Sequence, residues 1–152
     1  MIDDITIRPA TPGDGETLWR WRNAPDVRRA SLDSTDIPLP DHLEWYRRAL
    51  RNPGREILIA EHAGQPMGMV RFDRADDTAT VSILLDAAYR GKGLSGPVLS
   101  AAISASRSGG VRLRALVKHD NAASRALFLS LGFHVVSDGD TIVLEREGDK
   151  PE

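Results

Sequence analysis

The spacing of apolar positions changes several times along the chain, and each change marks an element boundary. Residues 5–8 read Ile, Thr, Ile, Arg and stop at Pro9, which predicts a short first strand. Thr11, Pro12, Gly13 and Asp14 open a helix that carries Leu18, Trp19 and Trp21 and runs to Asn23. Pro25 and Asp26 start a short helical piece reaching Ala30, and the Ser-, Asp- and Pro-rich stretch 31–40 reads as loop. Helical spacing returns over 41–51. Leu39, Leu43, Tyr46 and Leu50 share one stripe there, and His42, Trp45 and Ala49 share the opposite one. Asn52, Pro53 and Gly54 end that helix.

Beyond this point the period shortens. Residues 57–60, 67–72 and 80–85 are strand-like runs separated by turns at Ala63-Gly64-Gln65 and Ala75-Asp76-Asp77, the pattern of an antiparallel meander. A glycine-rich loop follows, then a helix of small residues over 98–106 that Gly109 and Gly110 end. A strand at 111–117 precedes a helix at 121–131, which Gly132 stops. Two last strands, 133–136 and 141–145, flank Asp138-Gly139 as a hairpin. No repeat or linker divides the chain, so one α+β domain over 1–152 is expected, with 148–152 frayed.

Composition narrows the function. With 152 residues, 41% hydrophobic and 28% charged, the chain is an ordinary globular domain. No apolar run approaches the roughly 18–20 residues of a membrane helix. The acidic start, Met1-Ile2-Asp3-Asp4, shows no signal peptide, so a cytoplasmic location is expected. The absence of cysteine excludes disulfides, thiolate catalysis and cysteine-ligated zinc, and no metal is expected. A net charge of −2 argues against non-specific nucleic-acid binding, and no membrane partner is expected. Of 20 basic residues 17 are Arg, the side chain suited to bidentate phosphate and carboxylate recognition, although codon bias produces the same count.

The chemistry concentrates in Arg90-Gly91-Lys92-Gly93-Leu94-Ser95-Gly96. Glycines let the backbone turn its N–H groups inward without a Cβ clash. The helix that follows adds the positive end of its dipole, which makes an anion site suited to a phosphate or pyrophosphate. Pro97 lacks an N–H, a tolerable loss in a first helical turn. Gly91, Gly93 and Gly96 also satisfy G-x-G-x-x-G, with Asp120 lying 24 residues further on. Residues 86–90 separate the strand from the glycines, however, whereas a dinucleotide fold turns directly off its strand. A P-loop fails because Pro97 stands where Lys is required.

Leu84-Leu85-Asp86-x-x-Tyr89-Arg90-Gly91-Lys92-Gly93-Leu94 closely resembles the acetyl-CoA loop of the GCN5-related N-acetyltransferases (GNAT). The block Val117-Lys118-His119-Asp120-Asn121-Ala122-Ala123-Ser124, with Leu127-Phe128 and Leu131-Gly132-Phe133, is similar to that family's second motif. The resemblance covers nearly the whole chain. It implies the GNAT fold: a mixed, mostly antiparallel central sheet of six to seven strands flanked by about four helices. It also implies acetyl-CoA as co-substrate, held by Arg90, Gly91, Lys92, Gly93, Leu94, Ser95 and Gly96. Ile83 and Leu85 would pair with the pantetheine arm, and a backbone N–H of Ile83 or Leu84 would polarise the thioester carbonyl. Asn121, Ser124 and Phe128, at helical spacing, would line the coenzyme while Ala123, Ala126 and Leu127 face the sheet. Phe128 stands where many members carry a Tyr that protonates the leaving thiolate; Phe has no proton to give, and packing against the coenzyme arm is its expected role.

The implied reaction is direct attack of a primary amine on the thioester in a ternary complex. His119 is a candidate base, with His62, Asp73 and His42 as alternatives. The first half, Trp21-Arg22-Asn23-Ala24-Pro25-Asp26-Val27-Arg28, with His42, Trp45, Arg71 and Asp73, resembles the branch that acetylates the 4-amino group of UDP-linked amino sugars in pseudaminic and legionaminic acid biosynthesis. That branch implies a nucleotide sugar as the small-molecule acceptor, with Arg22, Asn23, His42, Trp45, Arg71 and Asp73 contacting it. Acetyltransferases of ribosomal-protein N-termini have a similar first half, and a non-catalytic acyl-CoA-binding sensor is the alternative from another class. Monomer and homodimer are both compatible with the sequence.

Overall fold

The computed structural model describes residues 4–25, 27, 37–108 and 110–148. Seven strands form one sheet of order β1-β2-β3-β4-β5-β7-β6. They are β1 (Ile5–Pro9), β2 (Arg55–His62), β3 (Gln65–Ala75), β4 (Thr78–Leu85), β5 (Arg112–Lys118), β6 (His134–Asp138) and β7 (Thr141–Arg146). Every neighbouring pair is antiparallel except β4 with β5. Four helices are described along their length: α1 (Gly15–Asn23), α2 (Leu39–Arg51), α3 (Ser95–Ala105) and α4 (Ala122–Ser130). This is the mixed, mostly antiparallel α+β architecture expected. Most of the helical piece expected at 25–30 and most of the loop at 31–40 fall outside the described residues, as do 149–152; Pro25 and Val27 are described as helical. α3 starts at Ser95, earlier than the expected 98, because Pro97 fits within its first turn. No helix among the described residues is long and apolar enough to cross a membrane.

Strand alternation sends side chains to two cores. On one face Leu58, Val70, Phe72, Val81, Leu113 and Leu144 pack with Val98 and Leu99 of α3. On the other, Ile57, Ile59 and Met69 meet Leu18 and Trp21 of α1 and Tyr46 and Ala49 of α2. Each such side chain contributes about 1.5–3 kcal/mol by leaving water. The buried stripe of α2 is His42, Tyr46 and Ala49, whereas Leu43 and Leu50 are only half-buried. The expected apolar stripe is thus rotated. Its cause is the close crossing at Gly15, where an added Cβ would lie 2.8 Å from Leu43 Cδ2 and 3.1 Å from Tyr46 Cδ2. The Tyr46 hydroxyl, buried there, donates to the Thr11 carbonyl.

Arg8 ties the entry of α1 to the sheet. Its Nη1 and Nη2 lie 2.8 and 2.9 Å from the Asp14 oxygens, and its Nε lies 3.0 Å from Glu61 Oε2. The guanidinium holds the Asp14 carboxyl below its ordinary pKa, and burial opposes it. Between β3 and β4, a Cβ at Gly68 would stand 2.6 Å from the Leu84 carbonyl oxygen and 2.7 Å from Leu85 Cδ2. Only glycine permits that approach, and it sets the last residues of β4.

Candidate active site

Two parallel strands that part company create the central feature. β4 and β5 pair only at Thr78–Arg112, Ala79–Leu113 and Thr80–Arg114. β4 then continues to Leu85 along β3 alone, and β5 to Lys118 along β7. The wedge between them exposes backbone, and parity decides which. Asp86 N donates to Met67 O at 2.8 Å, so residues 82, 84 and 86 turn their backbone groups to β3. Asp77 O, on the other parity, accepts from Arg112 N at 3.2 Å. The N–H groups of Ile83 and Leu85 therefore face the wedge. That of Leu84 points to Met69, so of the two expected thioester-polarising residues only Ile83 has the direction required.

Above the wedge, Asp86 caps a one-turn 3-10 segment at Ala87–Tyr89 by accepting from Ala88 N at 2.9 Å. Arg90 then folds back, its Nε donating to the Leu85 carbonyl at 2.9 Å. Gly91 and Gly93 have φ of +71° and +73°, and no atom lies within 4 Å of where their Cβ would be. The loop surface at both is thus bare backbone facing open space, continued by the first turn of α3 with Ser95 and Gly96. Open backbone beside a helix N-terminus is chemically suited to an anion such as a diphosphate. Leu94 is buried and anchors the loop to the core.

α4 is oriented differently from expectation. Asn121 is its N-cap, the side chain accepting from Ser124 N at 3.1 Å. Phe128 is 4% exposed and meets Phe133 edge-on at 5.0 Å in the main core. Ala123 and Ala126 face solvent, and Leu127 is partly buried. The helix turns its phenyl ring inward because a ring removes far more apolar area from water than two methyl groups. Phe128 is thus a packing residue, and the expected sheet-facing role of Ala123 and Ala126 is corrected.

The opposite face of the sheet carries the expected acceptor residues. The Trp45 ring has the Arg55 and Arg71 guanidinium carbons each 5.5 Å from its centroid. Asp73 lies between the two cations, with Oδ2 2.9 Å from Arg71 Nε and Oδ1 3.5 Å from Arg55 Nε. Neither contact is an aligned hydrogen bond, and Arg71 Nε and Asp73 Oδ1 are buried without a hydrogen-bond partner. His42 stacks at 6.0 Å on Tyr46 and tilts against Trp45 at 5.7 Å. Burial lowers its pKa, with the nearby Arg22 adding to the effect and the Gly15 backbone opposing it. His42 is 5% exposed and its Nε2 has no partner, so it backs the Trp45 wall from within, not from an open surface.

Asn23 is engaged structurally. Its amide donates to Ile37 O at 3.0 Å and accepts from Ile37 N at 3.1 Å, closing the end of α1 onto the chain that enters α2. Arg22, beside it, is half-buried. His119 sits apart from Trp45. Its side chain is 66% exposed, and its Nε2 is 3.9 Å from Asp138 Oδ1 beside the β6–β7 turn. His62 meets Tyr89 edge-on at 6.0 Å. Sequence reasoning overlooked Arg55 as a member of the Trp45 group. The register that places Arg55 opposite Asp73 across β2 and β3 is the signal that finds it.

Residues 4–134 match the family described as an acetyltransferase (GNAT) domain, and the chain belongs to that family. It is an acyltransferase by that membership. No curated protein sequence matches the chain significantly. Among solved structures it is similar to yncA of Salmonella typhimurium, assigned as an acetyltransferase and solved with its cofactor acetyl-CoA. The two share 26% identity over 98% of this chain and 96% of that one, with a TM-score of 0.78. The ribosomal-protein-alanine N-acetyltransferase of Brucella melitensis has the same fold at 24% identity, with 93% and 99% coverage and a TM-score of 0.75. So does spermidine N-acetyltransferase of Vibrio cholerae, solved with CoA and spermine, at 15% identity, 93% coverage of each chain and a TM-score of 0.80.

Proposed function

We propose that the chain transfers an acetyl group from acetyl-CoA to the primary amine of a nucleotide-linked amino sugar. The observation that carries the coenzyme half is the continuity of the glycine cradle with the β4–β5 wedge, which leads from N–H groups suited to a diphosphate down to the Ile83 N–H. Gly91, Lys92, Gly93 and the first turn of α3 hold the diphosphate. Ile83 and Leu85 pair with the pantetheine arm, and Arg90 closes the top of the wedge. Acetyl-CoA supplies a thioester carbonyl carbon, to which the amine lone pair forms a C–N bond as the C–S bond breaks. Ile83 N–H donates to the carbonyl oxygen as negative charge grows on it. Holding amine and thioester together replaces an encounter in solution by a unimolecular step. The amine attacks in its neutral form, and water accepts its proton beside Asp73. Phe128 has no proton for the departing thiolate, which takes one from solvent.

The acceptor half rests on the Arg55–Trp45–Arg71 group. Two guanidiniums flanking an indole suit an anionic, planar acceptor such as a nucleoside diphosphate. A purely cationic acceptor such as a polyamine would meet like charge there. Thiol release from acetyl-CoA, measured across UDP-linked amino sugars, peptide N-termini and polyamines, tests both halves. Turnover is expected with the UDP-amino sugars, and Trp45→Ala should raise KM for that acceptor about tenfold or more while leaving KM for acetyl-CoA within a few-fold. Turnover with peptides alone would replace the acceptor reading and keep the transferase. CoA binding without turnover on any amine would favour a sensor.

A further inference from the structure

The helix on the acceptor face and the coenzyme cradle are joined by one side-chain hydrogen bond. Trp21 lies in α1, next to Arg22, and is 6% exposed. Its Nε1 donates to Asp86 Oδ2 at 2.8 Å, across a sequence separation of 65 residues. The other oxygen of the same carboxylate, Oδ1, accepts from Ala88 N at 2.9 Å and so caps the 3-10 turn. That turn ends at Tyr89, one residue before Arg90 and two before Gly91, the first residue of the cradle with positive φ. Asp86 is also the last residue held by β3, through its own N–H to Met67 O. One residue thus ties three things together: its N–H holds the end of β4, and its carboxylate holds the turn before the glycines and the position of α1.

We infer that Asp86 and Trp21 act as a positioning pair for the coenzyme, setting the cradle's shape from the acceptor-side helix. The inference rests on the coenzyme reading given above and adds a role for two residues that touch neither reactant. The turn has a single helical turn's worth of internal hydrogen bonding, through Tyr89 N to Asp86 O and Arg90 N to Ala87 O. Such a short segment has little stability of its own and takes its geometry from its caps. Asp86 supplies the cap, and Trp21 fixes the rotamer in which it does so. A carboxylate accepting two N–H groups is charge-assisted and directional, whereas an amide in its place can satisfy only one of the two with its single oxygen.

The test measures CoA binding directly by calorimetry, together with the thermal midpoint, for wild type, Trp21→Phe, Asp86→Asn and the double variant. Trp21→Phe keeps an aromatic ring and deletes the N–H; Asp86→Asn leaves the core untouched and keeps only one acceptor. Each single variant is expected to weaken CoA about tenfold, and the double variant to be no weaker than either single, because both remove the same bond. Trp19→Phe is the control. Trp19 Nε1 donates to Ile37 O instead of to the cradle, so CoA binding should stay at the wild-type value. A general loss of packing would lower the midpoint without this pattern and would weaken CoA in the Trp19 variant too, which would overturn the inference. So would CoA affinity equal to wild type in Asp86→Asn, or losses in the two single variants that multiply in the double. Absence of CoA binding by the wild-type chain would overturn the coenzyme reading itself, and the positioning role with it.

Discussion

Ile83→Pro isolates a single N–H. The ladder to β3 is made by residues 82, 84 and 86, so residue 83 contributes no backbone bond to it. A proline ring there enters the wedge in place of the proposed donor, at the kind of unpaired strand position where proline is accommodated. Ile83→Ala is the matched reference, since it trims the same half-buried side chain and retains the N–H. Removing one preorganised donor to a developing oxyanion lowers kcat about 10²–10³-fold, which is about 2.7–4 kcal/mol. The proline variant should fall below the alanine variant by that factor, with KM for acetyl-CoA moving much less. Leu84→Pro completes the set. It deprives Met69 of its partner and drives the ring into β3, so its thermal midpoint should drop well below that of Ile83→Pro. Release of CoA thiol with a chromogenic disulfide is a clean readout because the chain contains no cysteine. Equal kcat in the proline and alanine variants would refute the assignment of Ile83, and a folded, active Leu84→Pro would refute the parity from which it is derived.

Gly93→Asp places a carboxylate where the proposed diphosphate would lie and imposes φ of +73° on a side chain, at a strain of about 1–2 kcal/mol. The chain should fold, and calorimetry should find CoA binding abolished; retained affinity would count against the cradle. Gly68→Ala forces a Cβ to 2.6 Å from the Leu84 carbonyl oxygen, so the strands must separate, at about 1–3 kcal/mol. Each kcal/mol should appear as about 2–4 °C in the thermal midpoint, with kcat falling as the end of β4 shifts. Burial raises the Tyr46 phenol to about 12, so the folded state favours the neutral form. That contribution is complete below the unfolded value of about 10 and is lost between there and about 12 as pH rises. Tyr46→Phe should flatten the alkaline fall of stability in that window, measured by denaturant titration; an unchanged slope would contradict the buried phenol.

Local rules carried much of the fold. Pro9, Gly54, Gly64 and Gly132 end elements wherever their backbones are needed, and apolar alternation over 57–85 specified three adjacent strands through interactions between near neighbours in sequence. The glycine cradle was equally legible, because positive φ at Gly91 and Gly93 is a property of single residues. Which face of a helix is buried was less legible. α2 turned His42 inward and α4 turned Phe128 inward because the crossing at Gly15 and the area of an aromatic ring decide burial, and both depend on what lies opposite.

By itself, then, the sequence determined the element order, the meander and the glycine-rich turn, since these follow from short-range spacing and from backbone freedom at named glycines, while the resemblance of its motifs pointed to the transferase family that the family match shows. The tertiary structure alone decided that Ile83 and not Leu84 faces the wedge, that Arg55 joins Arg71 over Trp45, and that Trp21 reaches Asp86. The physical reason is common to all three. Each depends on pairing parity or on contact between segments far apart in the chain, and one residue of slip in strand register would turn the Ile83 N–H and the Arg55 and Arg71 side chains to the other side.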